Sequence, residues 1–159
     1  RKKAYKELSY WLSLRRARNI RLPLADGCLE SNEAHYDFLY ERVVGRVASG
    51  GVVAVLGLAF KRDTDDLRES PGVRLTEMLL AKGFRVWAHD FQISPADLVG
   101  VNKRSFLALA GHGGFEFKSH LDSLLEKRPD LCVVFHEDRR YNQFLEETDI
   151  ENIHLNRCF

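Results

Sequence analysis

Tyr5, Leu8, Trp11 and Leu12 recur at helical spacing near the start of the chain, and Pro23 with Asp26-Gly27 then interrupts the pattern. The spacing predicts one amphipathic helix followed by a loop. Ser31 is a good N-cap for a second helix, whose apolar face runs Tyr36, Leu39, Tyr40, Val43, Val44 and Val47 before Ser49-Gly50-Gly51 stops it. The period then changes. Val52-Val53-Ala54-Val55-Leu56 is a continuous apolar run of strand length, the pattern of a strand covered on both faces. Pro71 suits the first turn of a following helix, Leu75, Met78 and Leu79 supply its buried side, and Gly83 stands where a C-cap belongs. Phe84 to Ala88 completes the unit as a second strand.

A strand, crossover helix and strand in this order predict a parallel pair, and hence an α/β fold with a doubly wound, mainly parallel, Rossmann-like sheet. Ser94-Pro95-Ala96-Asp97 is expected to open a short helix, Asn102 to Ala110 a weaker one, and Gly111-His112-Gly113-Gly114 a loop. Ser119 is expected to cap a helix through Lys127, with a turn at Pro129-Asp130 and another buried strand over Leu131 to Phe135. Tyr141 to Glu147 reads as helix and Ile153 to Leu155 as a last, edge strand. The expected division is therefore a helical connecting segment over 1–48 and an α/β domain over 49–159.

Composition narrows the function. Hydrophobic types make up 45% of the 159 residues, enough for a real core. A net charge of +1 gives no electrostatic reason for a nucleic-acid or membrane partner, so any anion site must be local. Arg15, Arg16, Arg18 and Arg21 near the start read as a solvated helix face before a polyanion site, and Tyr5, Trp11, Tyr36 and Tyr40 as interface aromatics suited to a dimer. Cys28, Cys132 and Cys158 lack CxxC spacing, which fits a reducing compartment and points to the cytoplasm. No apolar run is long enough to span a bilayer, and the basic opening Arg1-Lys2-Lys3 has no apolar stretch behind it to make a signal peptide. The missing initiator Met reads as a fragment boundary or a trimmed start. The six histidines show no HxxxH or HExxH pairing, so no metal is expected.

The chemistry concentrates between the first strand and its helix, in Gly57-Leu58-Ala59-Phe60-Lys61-Arg62-Asp63-Thr64-Asp65-Asp66-Leu67-Arg68-Glu69-Ser70-Pro71. Ligands of open α/β sheets bind beyond the carboxyl ends of the strands, where this turn should lie. It is neither GxGxxG nor a P-loop. Gly57 permits close backbone approach, Lys61 offers a point charge to a phosphate, and Arg68 can fork onto a phosphate or carboxylate, with the intervening acids holding the cations in place. The bland alternatives are a lysine snorkelling from a strand end and, for Arg68 and Glu69 with Asp65 and Asp66, ordinary charges at a helix start.

The same string closely resembles the signature that opens the C-terminal domain of UDP-glucose and GDP-mannose 6-dehydrogenases. The resemblance continues to His89-Asp90, after which the family often has Pro and this chain has Phe91. Leu131 to Phe144 is similar to the family's later strand, loop and helix, and Asn32 to the asparagine that starts its second connecting helix, which makes residues 1–48 resemble the end of its central dimerisation region. Gly100-Val101-Asn102-Lys103 looks more like the GDP-mannose branch. What the resemblance implies is oxidation of a sugar C6 alcohol to a carboxylate in two NAD-dependent steps through a thioester on a catalytic cysteine, in the service of polysaccharide biosynthesis. By carry-over, Phe60 and Lys61 would contact a UDP- or GDP-sugar, Arg157 would assist by position, and Arg68 would face NAD bound on another domain. The NAD motif GxGxxG and the catalytic GGxC[FL]xKD are not in this sequence. Gly27-Cys28-Leu29 echoes the latter but lacks its flanking Gly-Gly and Lys-Asp, so Cys28 is not read as a nucleophile. The expectation is a nucleotide-sugar-binding part of such a dehydrogenase, homodimeric through its N-terminal helices and not active alone. The alternative is a free-standing, non-catalytic nucleotide-binding or oligomerisation module.

Overall fold

The computed structural model describes residues 23–155. Tyr5, Leu8, Trp11 and Leu12, the arginines between 15 and 21, Arg157 and Cys158 lie outside the described residues. The chain divides into two compact units between Phe38 and Leu39.

Helix α1, Pro23–Val44, begins where a loop was expected. Pro23 takes the first helical position, where its missing N–H is no loss, and Asp26 adds a favourable charge to the first turn. Gly27 costs such a helix only about 1 kcal/mol. Ser31 accordingly stands inside the helix and caps nothing.

In the second unit the elements are β1 (Val52–Leu56), α2 (Pro71–Ala81), β2 (Arg85–His89), α3 (Gly100–Ala110), β3 (Phe115–Phe117), a 3₁₀ turn (Leu121–Leu125), β4 (Leu131–Val134), α4 (Arg139–Thr148) and β5 (Asn152–His154). The five strands form one sheet in the order β3-β2-β1-β4-β5, every neighbouring pair parallel. Every residue of β1 is buried, as its unbroken apolar run requires at the centre of a sheet with helices on both faces. Val52, Ala54 and Leu56 join Cys132, Val134, Tyr141, Phe144 and Leu145 in the core under α4, while α2 packs on β1 and β2. The doubly wound fold is thus present. Burial pushes the Cys132 thiol up to about 12, so this cysteine serves as packing.

Ser70 rather than Pro71 alone starts α2: its hydroxyl oxygen accepts from the backbone N–H groups of Gly72 and Val73. The helix ends as Gly83 and Phe84 donate their N–H groups to the carbonyls of Leu80 and Leu79, the paired bonds of a Schellman motif. Two local expectations are corrected. Ser94 to Asp97 forms a single turn closed by the Asp97 N–H on the Ser94 carbonyl, and the chain leaves it at Leu98 without a further helical turn. The Ser119 segment holds only the 3₁₀ turn, whose N-cap is His120. The Gly111–Gly114 stretch leads directly into β3, a three-residue edge strand too short to show a period.

Candidate functional site at the carboxyl rim of the sheet

Strand register fixes where the Gly57–Pro71 turn lies. Leu56, the last residue of β1, pairs with His89 at the end of β2 and with Val134 at the end of β4. All three strands are parallel, so the segments that follow them emerge on one rim. The connections from β1 run one way to β2 and β3 and return to β4 on its other side, which makes the gap between β1 and β4 the point where the winding reverses.

The turn is built tightly at its base. Gly57 has φ +94°, and a Cβ there would lie 2.7 Å from Cγ of His136. A Cβ on Gly72 would lie 2.8 Å from the Gly57 carbonyl oxygen, so the start of α2 rests against the end of β1. Buried Ser70 donates its hydroxyl hydrogen to the Leu58 carbonyl at 2.6 Å while capping α2. Farther out, the Phe60 N–H donates to the Asp66 carbonyl at 2.6 Å and closes a loop whose tip carries Lys61 to Asp65.

Within that loop two of the three cations are matched. Arg68 makes a bidentate pair with Asp66, at 2.8 and 2.7 Å, and this guanidinium holds the Asp66 carboxyl below the usual carboxylate range. Arg62 pairs with Asp63 at 3.0 Å and donates to the Glu137 carbonyl at 3.1 Å. Exposed Lys61 has no ion-pair partner among the described residues; its ammonium stands 5.7 Å from the centroid of the Phe60 ring, which is 40% exposed. Phe60, Lys61 and Arg68 therefore share one loop, while Arg157 falls outside the described residues.

Across the reversal point lies a group of residues that the sequence did not single out as a site. Asp138 caps α4 by accepting from the Arg140 N–H, and it also takes a bidentate pair from the Arg140 guanidinium, which lowers its carboxyl to about 2. Arg140 stacks 3.5 Å above the Phe91 ring. Phe91 in turn packs on His89 and Tyr141 and fills this wall. The Tyr141 hydroxyl donates to the His89 carbonyl at 3.1 Å and meets His89 Nδ1 at 3.0 Å. Burial lowers His89 to about 4, with nearby Asp90 opposing, and burial likewise raises the Tyr141 phenol. The available signal was position: Asp90 and His136 are each among the first residues beyond a buried strand's carboxyl end.

The narrow crevice between these two groups, bounded by Arg62, Asp90, His136 and Arg140, offers about 10 Å³, room for about one water. A wider depression of about 330 Å³ beside α4 and β5 is lined by Glu137 and Glu146 with Asn142 and His154, carboxylates ill suited to a phosphate. A ligand anion is thus better met over the rim, at the Phe60–Lys61 loop. The β1–α2 turn does not fit the pyrophosphate of a dinucleotide: its glycine-rich fingerprint is absent, and the α2 amides that would face phosphate already point at Ser70. Among the described residues, no helix is long and apolar enough to cross a membrane, and no cluster of three metal-ligating side chains occurs.

Residues 54–155 match the sequence profile of the UDP-glucose/GDP-mannose dehydrogenase family, UDP binding domain. The chain belongs to this family. It is 32% identical over 123 residues to a GDP-mannose 6-dehydrogenase of Pseudomonas putida, an alignment covering 77% of this chain and 27% of the relative. Over 58 residues it is 52% identical to a UDP-glucose 6-dehydrogenase of Pseudomonas aeruginosa, covering 36% of this chain and 13% of that protein. The fold matches a GDP-mannose dehydrogenase from Pseudomonas aeruginosa crystallised as a ternary complex, with TM-score 0.73 and 24% identity, over 94% of this chain and 34% of that one. The chain spans under a third of the length of the curated 6-dehydrogenases it matches. UDP binding is the property this domain of the family is named for.

Proposed function

We propose that this chain is the nucleotide-sugar-binding part of an NAD-dependent nucleotide-sugar 6-dehydrogenase, an oxidoreductase that converts a sugar C6 alcohol to a carboxylate. In this reading Lys61 meets the diphosphate of a UDP- or GDP-sugar, Phe60 packs beside it, and Arg157 assists. Arg68, oriented by Asp66, faces NAD held elsewhere, since the β1–α2 turn offers no dinucleotide cradle. The observation that carries the proposal is Lys61: an exposed ammonium with no carboxylate partner among the described residues, on the carboxyl rim, inside the family-matched segment. A homodimer joined through the N-terminal helices and residence in the cytoplasm belong to the same proposal.

The test is titration of the 159-residue chain with GDP-mannose and with UDP-glucose, followed by calorimetry and thermal unfolding. At least one should bind, adding about 2.7 kcal/mol of stability at a free concentration 100 times its dissociation constant. Lys61→Ala should weaken that ligand roughly tenfold or more, the worth of a hydrogen bond to a charged group. Unchanged affinity in Lys61→Ala would remove the site assignment, and absence of binding by either nucleotide sugar would remove the function.

A further inference from the structure

Asp90 is the one carboxylate among the described residues that is buried, at 5% exposure, and among those residues no lysine or arginine forms an ion pair with it. Its oxygens are instead divided among three segments of the carboxyl rim. Oδ2 accepts the Ala59 N–H at 2.9 Å, immediately before Phe60 and Lys61. Oδ1 accepts the Gln92 N–H at 2.9 Å and so folds its own segment after β2 into an Asx turn. His136, after β4, brings Nδ1 to 3.7 Å from Oδ2. Burial lowers the pKa of His136, while Asp90 and a backbone hydrogen bond to Ala59 oppose that shift.

A buried negative charge is costly, and under a turn that is to receive a phosphate it also repels the ligand. Both effects count against an electrostatic role in anion binding. What the carboxylate supplies is geometry, because two oxygens serve two separate amides at once and tie the strand ends of β1 and β2 together. An asparagine offers one acceptor and turns an NH₂ toward the other amide.

We propose that Asp90 is a positioning residue for nucleotide-sugar binding: its carboxylate anchors the Ala59 amide and thereby sets the Phe60–Lys61 pair against the ligand. The proposal rests on the reading of Lys61 given above and extends it to a residue that touches no ligand.

The sign of one substitution separates positioning from charge. Asp90→Asn removes a negative charge, so a purely electrostatic Asp90 would leave the variant binding more tightly. Positioning predicts the opposite, an affinity for GDP-mannose or UDP-glucose about tenfold weaker. Because Asp90 acts through the Phe60–Lys61 pair, its loss and that of Lys61→Ala should be less than additive in the double variant. Backbone hydrogen exchange supplies a readout that needs no ligand: the Ala59 and Phe60 amides should exchange faster in Asp90→Asn, while Val86 and Trp87 within β2 keep their protection. Asp90→Ser, which retains one acceptor without an opposing NH₂, serves if the asparagine variant does not fold. Unchanged or tighter binding, additive losses in the double variant, or unaltered Ala59 exchange would each overturn the proposal. If the parent binds neither nucleotide sugar, the function falls while the exchange of Ala59 still decides whether Asp90 anchors the turn.

Discussion

Replacing Gly57 by alanine tests how the candidate site is held at its base. Two separate penalties are expected. At φ +94° an L-residue is strained by about 1–2 kcal/mol, and the new Cβ would stand 2.7 Å from Cγ and 2.9 Å from Nδ1 of His136. Overpacking of that kind costs about 1–3 kcal/mol, because His136 is hemmed in by Asp90 and the Ala59 backbone and cannot simply swing away. The lower entropy of an unfolded chain with Ala in place of Gly returns roughly 0.5 kcal/mol. Gly57→Ala should therefore destabilise by about 3 kcal/mol, read as a fall of about 1.5 M in the urea midpoint at a slope of ~2 kcal/mol/M. The two penalties separate in a second background. His136→Ala removes both ring atoms and leaves only the Cβ contact at 3.0 Å, so Gly57→Ala should there cost about 0.5–1.5 kcal/mol, the backbone strain less the unfolded-chain gain. An undiminished cost in the His136→Ala background would refute the steric half of this reasoning, and a neutral Gly57→Ala would refute both halves.

Stability should also fall with acid through His89. Its folded pKa of about 4 lies below the unfolded value near 6.5, so the unfolded chain binds the extra proton in between; stability is complete above about pH 6.5 and roughly 3 kcal/mol is lost on the way down to pH 4, with His136 acting in the same direction. Urea titrations across that range should show a shallower pH dependence in His89→Gln than in the parent, and parallel curves would remove His89 as the cause. Ser70→Ala should cost about 2–4 kcal/mol in the same assay, since it uncaps α2 and strands the buried Leu58 carbonyl, and a loss below 0.5 kcal/mol would show that neither bond matters.

The parts of this molecule legible from sequence are those in which local pattern and tertiary position agree. Val52–Leu56 reads as a central strand because burial on both faces admits only apolar side chains, and the Pro71 start and Gly83 stop of α2 follow from backbone rules that need no partner. Where the cause is distant, the pattern misleads or is silent. Ser31 has the chemistry of a cap, yet α1 was already under way from Pro23, so its hydroxyl meets no free amide. Phe115–Phe117 is a strand only because β2 lies beside it. Asp90 follows a buried strand in plain view, but its meaning lies in an amide 31 residues away.

The charges of the loop show how a nearly neutral chain can build a local anion site. Between Gly57 and Pro71 the sequence places three cations and four acids, an arrangement that by count alone would repel a phosphate. The structure sorts them. Asp66 is committed to Arg68 and Asp63 to Arg62, each through short contacts that hold the guanidinium beside its own segment. The Phe60–Asp66 closure then leaves Lys61 one residue beyond a fixed amide, its ammonium 5.7 Å from the Phe60 ring centroid and in no ion pair among the described residues. A lysine in that position gives up no ion pair when it meets a phosphate. Arg68 must give up a bidentate partner, and Arg62 its ion pair with Asp63, before either can bind anything else. On this physical ground the loop's affinity for a diphosphate rests on Lys61, and the acids around it confine the attraction to one place.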